Sequence, residues 1–159
     1  MKYELQDLLR VRDHRQEHAE ELLQKAKHAL TEAEIFLQKQ KKKEEDFLKK
    51  KPIFIQNIYL LAMQKTQFKR NYLDLIHLKL GKLDEHKMKL AKAVEEAHNR
   101  CEEAQKNVQT CMQALMQARK ELSKIEEHKK IWQQEMNQLE ELNQDKELED
   151  FKTKHTDEN

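Results

Sequence analysis

One glycine and one proline in 159 residues leave this chain almost without the punctuation that tight turns require. A glycine-rich phosphate loop is excluded, since Gly81 stands alone. Aromatic residues amount to 6% and charged residues to 38%, which matches a long helix or coiled coil and spreads apolar material too thinly for a compact core. No apolar run reaches the ~18 residues that a spanning helix needs. The opening MKYELQDLLRVRDHRQ scatters charges where a secretory signal would carry an apolar stretch. An excess of one charge is missing too. With 31 basic and 30 acidic residues the formal charge is +1, so the overall balance implies neither nucleic acid nor an anionic membrane as a partner. The two cysteines read as small reduced apolar residues of a helical seam, which favours the cytoplasm.

What is present is helix-forming material with a strict repeat. Positions 73, 76, 80, 83, 87, 90, 94, 97, 101, 104, 108, 111, 115, 118, 122, 125, 129, 132, 136 and 139 alternate by three and four. Eighteen of these twenty are apolar, where about seven would follow from the 37% background; Lys87 and Lys129 are the exceptions. A seven-residue repeat of this kind implies a left-handed supercoil with a partner helix. The repeat decays from Asn143, where Asn143, Lys146 and Asp150 take the seam places.

The first half carries a weaker repeat: Leu5, Leu8, Ala19, Leu22, Ala26, Ala29, Ala33, Phe36 and Phe47, interrupted by Arg12, Arg15, Gln40 and Lys43. A neighbouring row, Leu9, Leu23, Leu30 and Leu37, widens the stripe. Small residues centre near Ala26 in this half and near Asn107 in the other. Facing each other antiparallel, these tracts would let the axes approach to about 8 Å. The fold-back then falls around residue 66, where the repeat lapses at Thr66 and Lys69, and Leu8 comes opposite a residue near Ile125, within reach of Trp132.

Pro52 follows Lys49, Lys50 and Lys51 and predicts that helix 1 ends or kinks there, because it lacks an N–H and crowds the preceding turn. It also suits the first turn of a new short helix in PIFIQNIYLLAM. The expected fold is therefore all-α, a long two-helix antiparallel coiled-coil hairpin with a kinked, apolar tip. It forms one elongated domain over residues 1–159: helix 1 at about 4–50, the tip at about 51–70, helix 2 at about 70–148, and a frayed tail at 149–159. The tip gathers Ile53, Phe54, Ile55, Ile58, Tyr59, Leu60, Leu61, Met63, Phe68 and Tyr72, more than two strands can cover, and such a patch marks a contact site.

Catalytic and metal patterns are sparse. His14 and His18 lie four apart on a helix, but no third ligand is placed beside them. Glu95 and His98 form a single E-x-x-H, whereas a di-iron bundle needs two such pairs and further inward carboxylates. Cys101 and Cys111 both face the seam. No enzyme activity, metal or cofactor is expected. The run KQKKKEEDFLKKK reads as a solvated, salt-bridged face. Arg12, Arg15 and Lys129 occupy seam places near the open end. Either their stems snorkel past a loosened pair of helices, or another protein covers that end and supplies acidic partners.

The start YELQDLLRVRDHRQEHAEELLQKAKHAL, the late KIEEHKKIWQQEMNQLEELNQDKELEDF, and the intervening RNYLDLIHLKLGKLDEHKMKL together resemble the YscO/FliJ family, the central-stalk proteins of type III secretion and flagellar export. The resemblance covers nearly the whole chain. It implies a non-enzymatic hairpin that couples a hexameric secretion ATPase to the export gate's cytoplasmic domain. The ATPase-facing end would hold Leu8, Arg10, Arg12, Arg15, His128, Lys129, Lys130 and Trp132. The gate-facing surface would hold Tyr72, Ile76, Leu80 and Leu83, joined by the tip residues Phe54, Ile58 and Leu61. A cytoplasmic protein, monomeric when isolated and peripherally associated with the apparatus at the inner membrane, is implied, and secretion chaperones are further candidate partners. Two other readings stand beside it: a generic coiled-coil scaffold paired between chains, and a helical-hairpin export chaperone that grips clients with its apolar tip.

Overall fold

The computed structural model describes residues 2–64 and 69–156, with side chains as far as Lys152. Uninterrupted helix-forming sequence gives two helices, α1 at Gln6–Met63 and α2 at Arg70–Thr156, and no strand among the described residues. The two pack against each other as a helical hairpin. The expected fold-back near Thr66, and Phe68 beside it, lie outside the described residues, as do the last three residues of the tail.

Two boundaries differ from the sequence expectation. Helix α1 does not end near residue 50 but continues to Met63 with Pro52 inside it, so no separate short helix begins there. A helix-interior proline costs about 3 kcal/mol or more through one lost hydrogen bond and a steric clash. Pro52 stands on the exposed side of α1, where water can reach the backbone that loses its bond. Phe47 with His86 and Lys51 with Asp84 anchor the turn before it, and the half-buried Ile55 and Ile58 continue the seam after it. Helix α2 likewise runs beyond the decay of its repeat, to Thr156. Residues 144–152 are mostly Gln, Lys, Glu and Leu, whose intrinsic propensity sustains a helix without a seam.

Seventeen of the twenty repeat positions of α2 are buried or half-buried; only Leu73, Lys87 and Leu139 are exposed. Ala97, at 1% exposure, is the most completely covered of them. In α1 the buried row proves to be Leu9, Arg12, Gln16, Ala19, Leu23, Ala26, Leu30, Ala33, Leu37, Gln40, Glu44 and Phe47. The row assigned from sequence shares Arg12, Ala19, Ala26, Ala33, Gln40 and Phe47 with it, but Leu5, Leu8, Arg15, Leu22, Ala29, Phe36 and Lys43 are exposed. The physical reason is that both rows alternate by three and four, and Leu8–Leu9, Leu22–Leu23, Ala29–Leu30 and Phe36–Leu37 place apolar side chains on each. The supposed widening row is the seam.

Contacts divide the chain into two compact units. The first is Met1–Leu23 with Cys111–Asn159, and the second is Gln24–Thr110. In the first, α1 and α2 run antiparallel, with Gln6 against Lys129, Arg12 against Glu121 and Glu20 against Arg119. In the second the partners are Phe36 with Arg100, Phe47 with His86 and Lys51 with Asp84, also antiparallel. Each of these three pairs has residue numbers adding to 133–136, the register that sets Ala26 opposite the neighbourhood of Asn107.

Candidate functional site

In the first unit, an aromatic latch holds the start of the chain to α2. Tyr3 is 5% exposed. Its ring lies 5.3 Å from that of Trp132 and 5.8 Å from that of His128, both tilted at about 45–54°, within the separations at which aromatic pairs attract. Its hydroxyl shares a 2.8 Å hydrogen bond with His128 Nδ1. The Gln6 amide nitrogen donates to the Tyr3 carbonyl at 3.2 Å, fixing the entry into α1. One turn further, Lys129 Nζ donates to Gln6 Oε1 at 3.1 Å. Tyr3→Ala is expected to free Trp132, giving a red-shifted fluorescence maximum, whereas Tyr3→Phe keeps the ring contacts and removes about 0.5–1.5 kcal/mol of hydrogen bonding. An unshifted spectrum for the alanine variant would count against the latch.

Charge then lines the same unit. Arg12, half-buried in the seam row, pairs with Glu121, and Arg119 donates to Glu20 Oε1 at 2.8 Å. Of the two readings of the seam charges, Arg12 and Lys129 therefore follow neither fully: their partners come from the chain itself. Arg10, Arg15 and Lys130 are exposed. Around the latch, then, the expected ATPase-facing residues fall into two groups. Arg12 and Lys129 join α1 to α2 and His128 and Trp132 hold Tyr3, whereas Arg10, Arg15, Lys130 and Leu8 are exposed.

The Glu20 carboxyl is held below its ordinary 4.5, first by the hydrogen bond from Arg119 and second by that from Gln16. A depressed carboxylate contributes stability that is complete above the unfolded value and lost as pH falls through the lower folded value. The melting temperature is therefore expected to stay level down to about pH 5 and fall below it, with Glu20→Gln flattening part of the fall; an unchanged acid limb in that variant would contradict the assignment. Asp84 in the second unit is lowered in the same way by Lys51, 2.7 Å away.

The second unit gathers the tip residues. Ile58, Leu61, Tyr72 and Ile76 line one small crevice of about 60 Å³ together with Ala62, Leu75 and Lys79. Phe54, Ile58, Leu61 and Leu83 line a neighbouring depression of about 360 Å³ with no acidic residue in its wall. Ile76 is buried, Ile58, Tyr72, Leu80 and Leu83 are half-buried, and Phe54 and Leu61 are exposed, Leu61 at 58%. Six of the seven residues expected on this surface thus share two adjoining hollows, and Leu80 lines neither. Ile53, Tyr59, Leu60 and Met63 are exposed as well.

Tyr3 is the residue that sequence reasoning passed over. Its signal was an aromatic residue placed just outside the repeat, at a distance from the chain start that matched Trp132 in the antiparallel register. The arrangement as a whole offers protein surfaces. Among the described residues no group of three His, Cys, Asp or Glu could hold a metal ion, and no helix is long and apolar enough to cross a membrane. A family model described as Type III secretion protein YscO matches residues 5–154 of the chain. Neither a curated protein nor a solved structure matches it significantly.

Proposed function

This chain belongs to the YscO family of type III secretion proteins, and on that premise we propose that it is the non-enzymatic central stalk of the apparatus, coupling the hexameric secretion ATPase to the export gate. Membership makes it a component of the secretion machinery; the coupling role is our reading of its surfaces. The observation that carries this reading is the end formed by Tyr3, His128 and Trp132, a braced aromatic mount with Arg10, Arg15 and Lys130 exposed around it. A mount that is rigid and positively charged suits insertion against acidic subunit surfaces, because little side-chain freedom is lost on docking.

One asymmetric insert cannot satisfy six equivalent subunits at once. It binds some subunit states better than others and shifts their populations by that difference. The chain needs no catalytic residue for this, only stiffness and a definite charged end. The other end of the reading is the apolar hollow at Phe54, Ile58, Leu61, Tyr72, Ile76 and Leu83, with Leu80 nearby, which we assign to the gate's cytoplasmic domain. Purified chain added to the hexameric ATPase is expected to raise its turnover. Unchanged turnover and unchanged ATPase assembly would contradict the proposal.

A second reading has its own observation. Ile53, Tyr59, Leu60, Leu61 and Met63 are all exposed on α1, an apolar run that suits a chaperone gripping export clients. Serine at Phe54, Ile58 and Leu61 would abolish client binding on that reading but leave ATPase stimulation intact.

A further inference from the structure

The near-zero net charge of the chain hides a local excess. Residues 39–51 and 79–92 together contain twelve lysines and five acidic residues. Two of those lysines are occupied, Lys49 with Glu45 and Lys51 with Asp84. Lys43, Lys50, Lys79 and Lys82 have no ion-pair partner among the described residues, and all four border grooves on the second unit. The larger groove, about 610 Å³, has Phe47, Phe54 and Leu90 in its wall with His86, and Lys43 and Lys50 at its margin. It meets the 360 Å³ depression at Phe54, where Lys79 and Lys82 continue the basic margin. Asp46 is the one acidic residue in either wall.

The groove is already stiff. His86 meets Phe47 edge-on at 4.7 Å, and Lys51 binds Asp84 at 2.7 Å. Both contacts fix α1 against α2 beneath the open apolar walls. From Lys43 to Leu61 the groove follows about five turns of α1, on the order of 27 Å. The hollows are shallow, and a helix of about 10–12 Å diameter can lie along the furrow of a two-helix pair with its side chains reaching the lysines on either side.

We propose that this face binds an acidic amphipathic helix of a partner protein, laid along α1 and α2 as a third strand. Its apolar anchors at i, i+3, i+4 and i+7 sit on Phe47, Phe54, Leu83 and Leu90, and its glutamates or aspartates meet Lys43, Lys50, Lys79 and Lys82. Charge complementarity sets the orientation and the rate of encounter, and apolar burial sets the lifetime. The inference shares Phe54 and Leu83 with the hollow assigned above to the export gate, and so rests on that face being a docking surface. It does not use the ATPase contact at Arg10, Arg15 and Lys130, so it can fail while ATPase stimulation holds, and the reverse.

The test uses the full chain and a fluorescent synthetic helix of about 18 residues, with leucine at i, i+3, i+4 and i+7 and glutamate elsewhere. Anisotropy should show saturable binding that weakens at least about tenfold between low and high salt. Lys43→Glu with Lys50→Glu should weaken it at least about tenfold and bind the lysine counterpart of the peptide instead. Phe54→Ser, on an exposed residue, should weaken it without altering the circular dichroism that monitors folding. Equal binding of polyglutamate would overturn the proposal in favour of bare charge attraction. Binding to anionic phospholipid vesicles but not to the peptide would overturn it in favour of a membrane surface. A salt-sensitive dimer of the chain itself, lost in the double variant, would overturn it in favour of a second copy.

Discussion

Reversing Arg10, Arg15 and Lys130 to glutamate is expected to abolish stimulation of the secretion ATPase while leaving the hairpin folded. All three are exposed, and none holds α1 to α2. Removing such charges costs the free protein little, because solvent-exposed ion pairs contribute at most about 1 kcal/mol. Against an acidic partner the same reversals replace attraction with like-charge contact at three points, so affinity should drop by at least about a hundredfold, with the largest loss at low salt. Helicity and Trp132 fluorescence should be unchanged, because the Tyr3 latch is left alone. Full stimulation by the triple variant would move the contact elsewhere on the chain. Arg12→Ala is the instructive contrast. Arg12 pairs with Glu121, so its loss should register mainly as reduced stability.

Leu122→Ala should be among the most destabilising single truncations of the first unit, costing about 2–5 kcal/mol. Leu122 is 8% exposed on the seam, so both the apolar transfer energy and a residual cavity enter the cost. The identical substitution at Leu142, 56% exposed, should fall within about 0.5 kcal/mol of zero. Denaturant unfolding followed by circular dichroism measures both. Equal effects at the two sites would contradict the seam as described, because leucine content is the same and only burial differs.

That contrast also marks what the sequence made legible. The seam of α2 could be read nearly position by position, because all its repeat places but Lys87 and Lys129 hold apolar residues and most of their neighbours are polar. Val94, Ala97, Cys101, Ala104 and Val108 stand alone on their face. In α1 the doublets Leu8–Leu9, Leu22–Leu23 and Phe36–Leu37 gave two rows equal hydrophobicity, and only the opposing helix decides between them. The antiparallel register was legible for a different reason: alanines must face alanines if two axes are to approach, and Ala26 and Ala97 are among the most buried residues of the second unit.

Pro52 misled because the local rule was applied without its surroundings. A proline ends a helix when nothing holds its two sides in line; here Phe47–His86 and Lys51–Asp84 hold the turn before it, and the half-buried Ile55 and Ile58 keep the turn after it on the seam. The site residues divide in the same way. Arg10 and Lys130 could be named through the family resemblance, Arg15 as a charge on the seam row, and the tip around Leu61 from its apolar excess. The roles of Tyr3 and of Glu121 could not, since each depends on a partner more than a hundred positions away in the chain. Arg12 was marked as an anomaly of the seam, and its explanation had to come from across the helix pair.

The coupling account makes one demand that neither stability nor turnover alone can meet: the two ends of the hairpin must touch different proteins at the same time. A photo-crosslinking amino acid at position 15 or 130, and separately at position 61, reads those contacts directly in an assembled secretion apparatus. The account predicts that the first pair captures the ATPase and the last captures the cytoplasmic domain of the export gate. Capture of one and the same protein from both ends, or capture of the ATPase from position 61 alone, would contradict it.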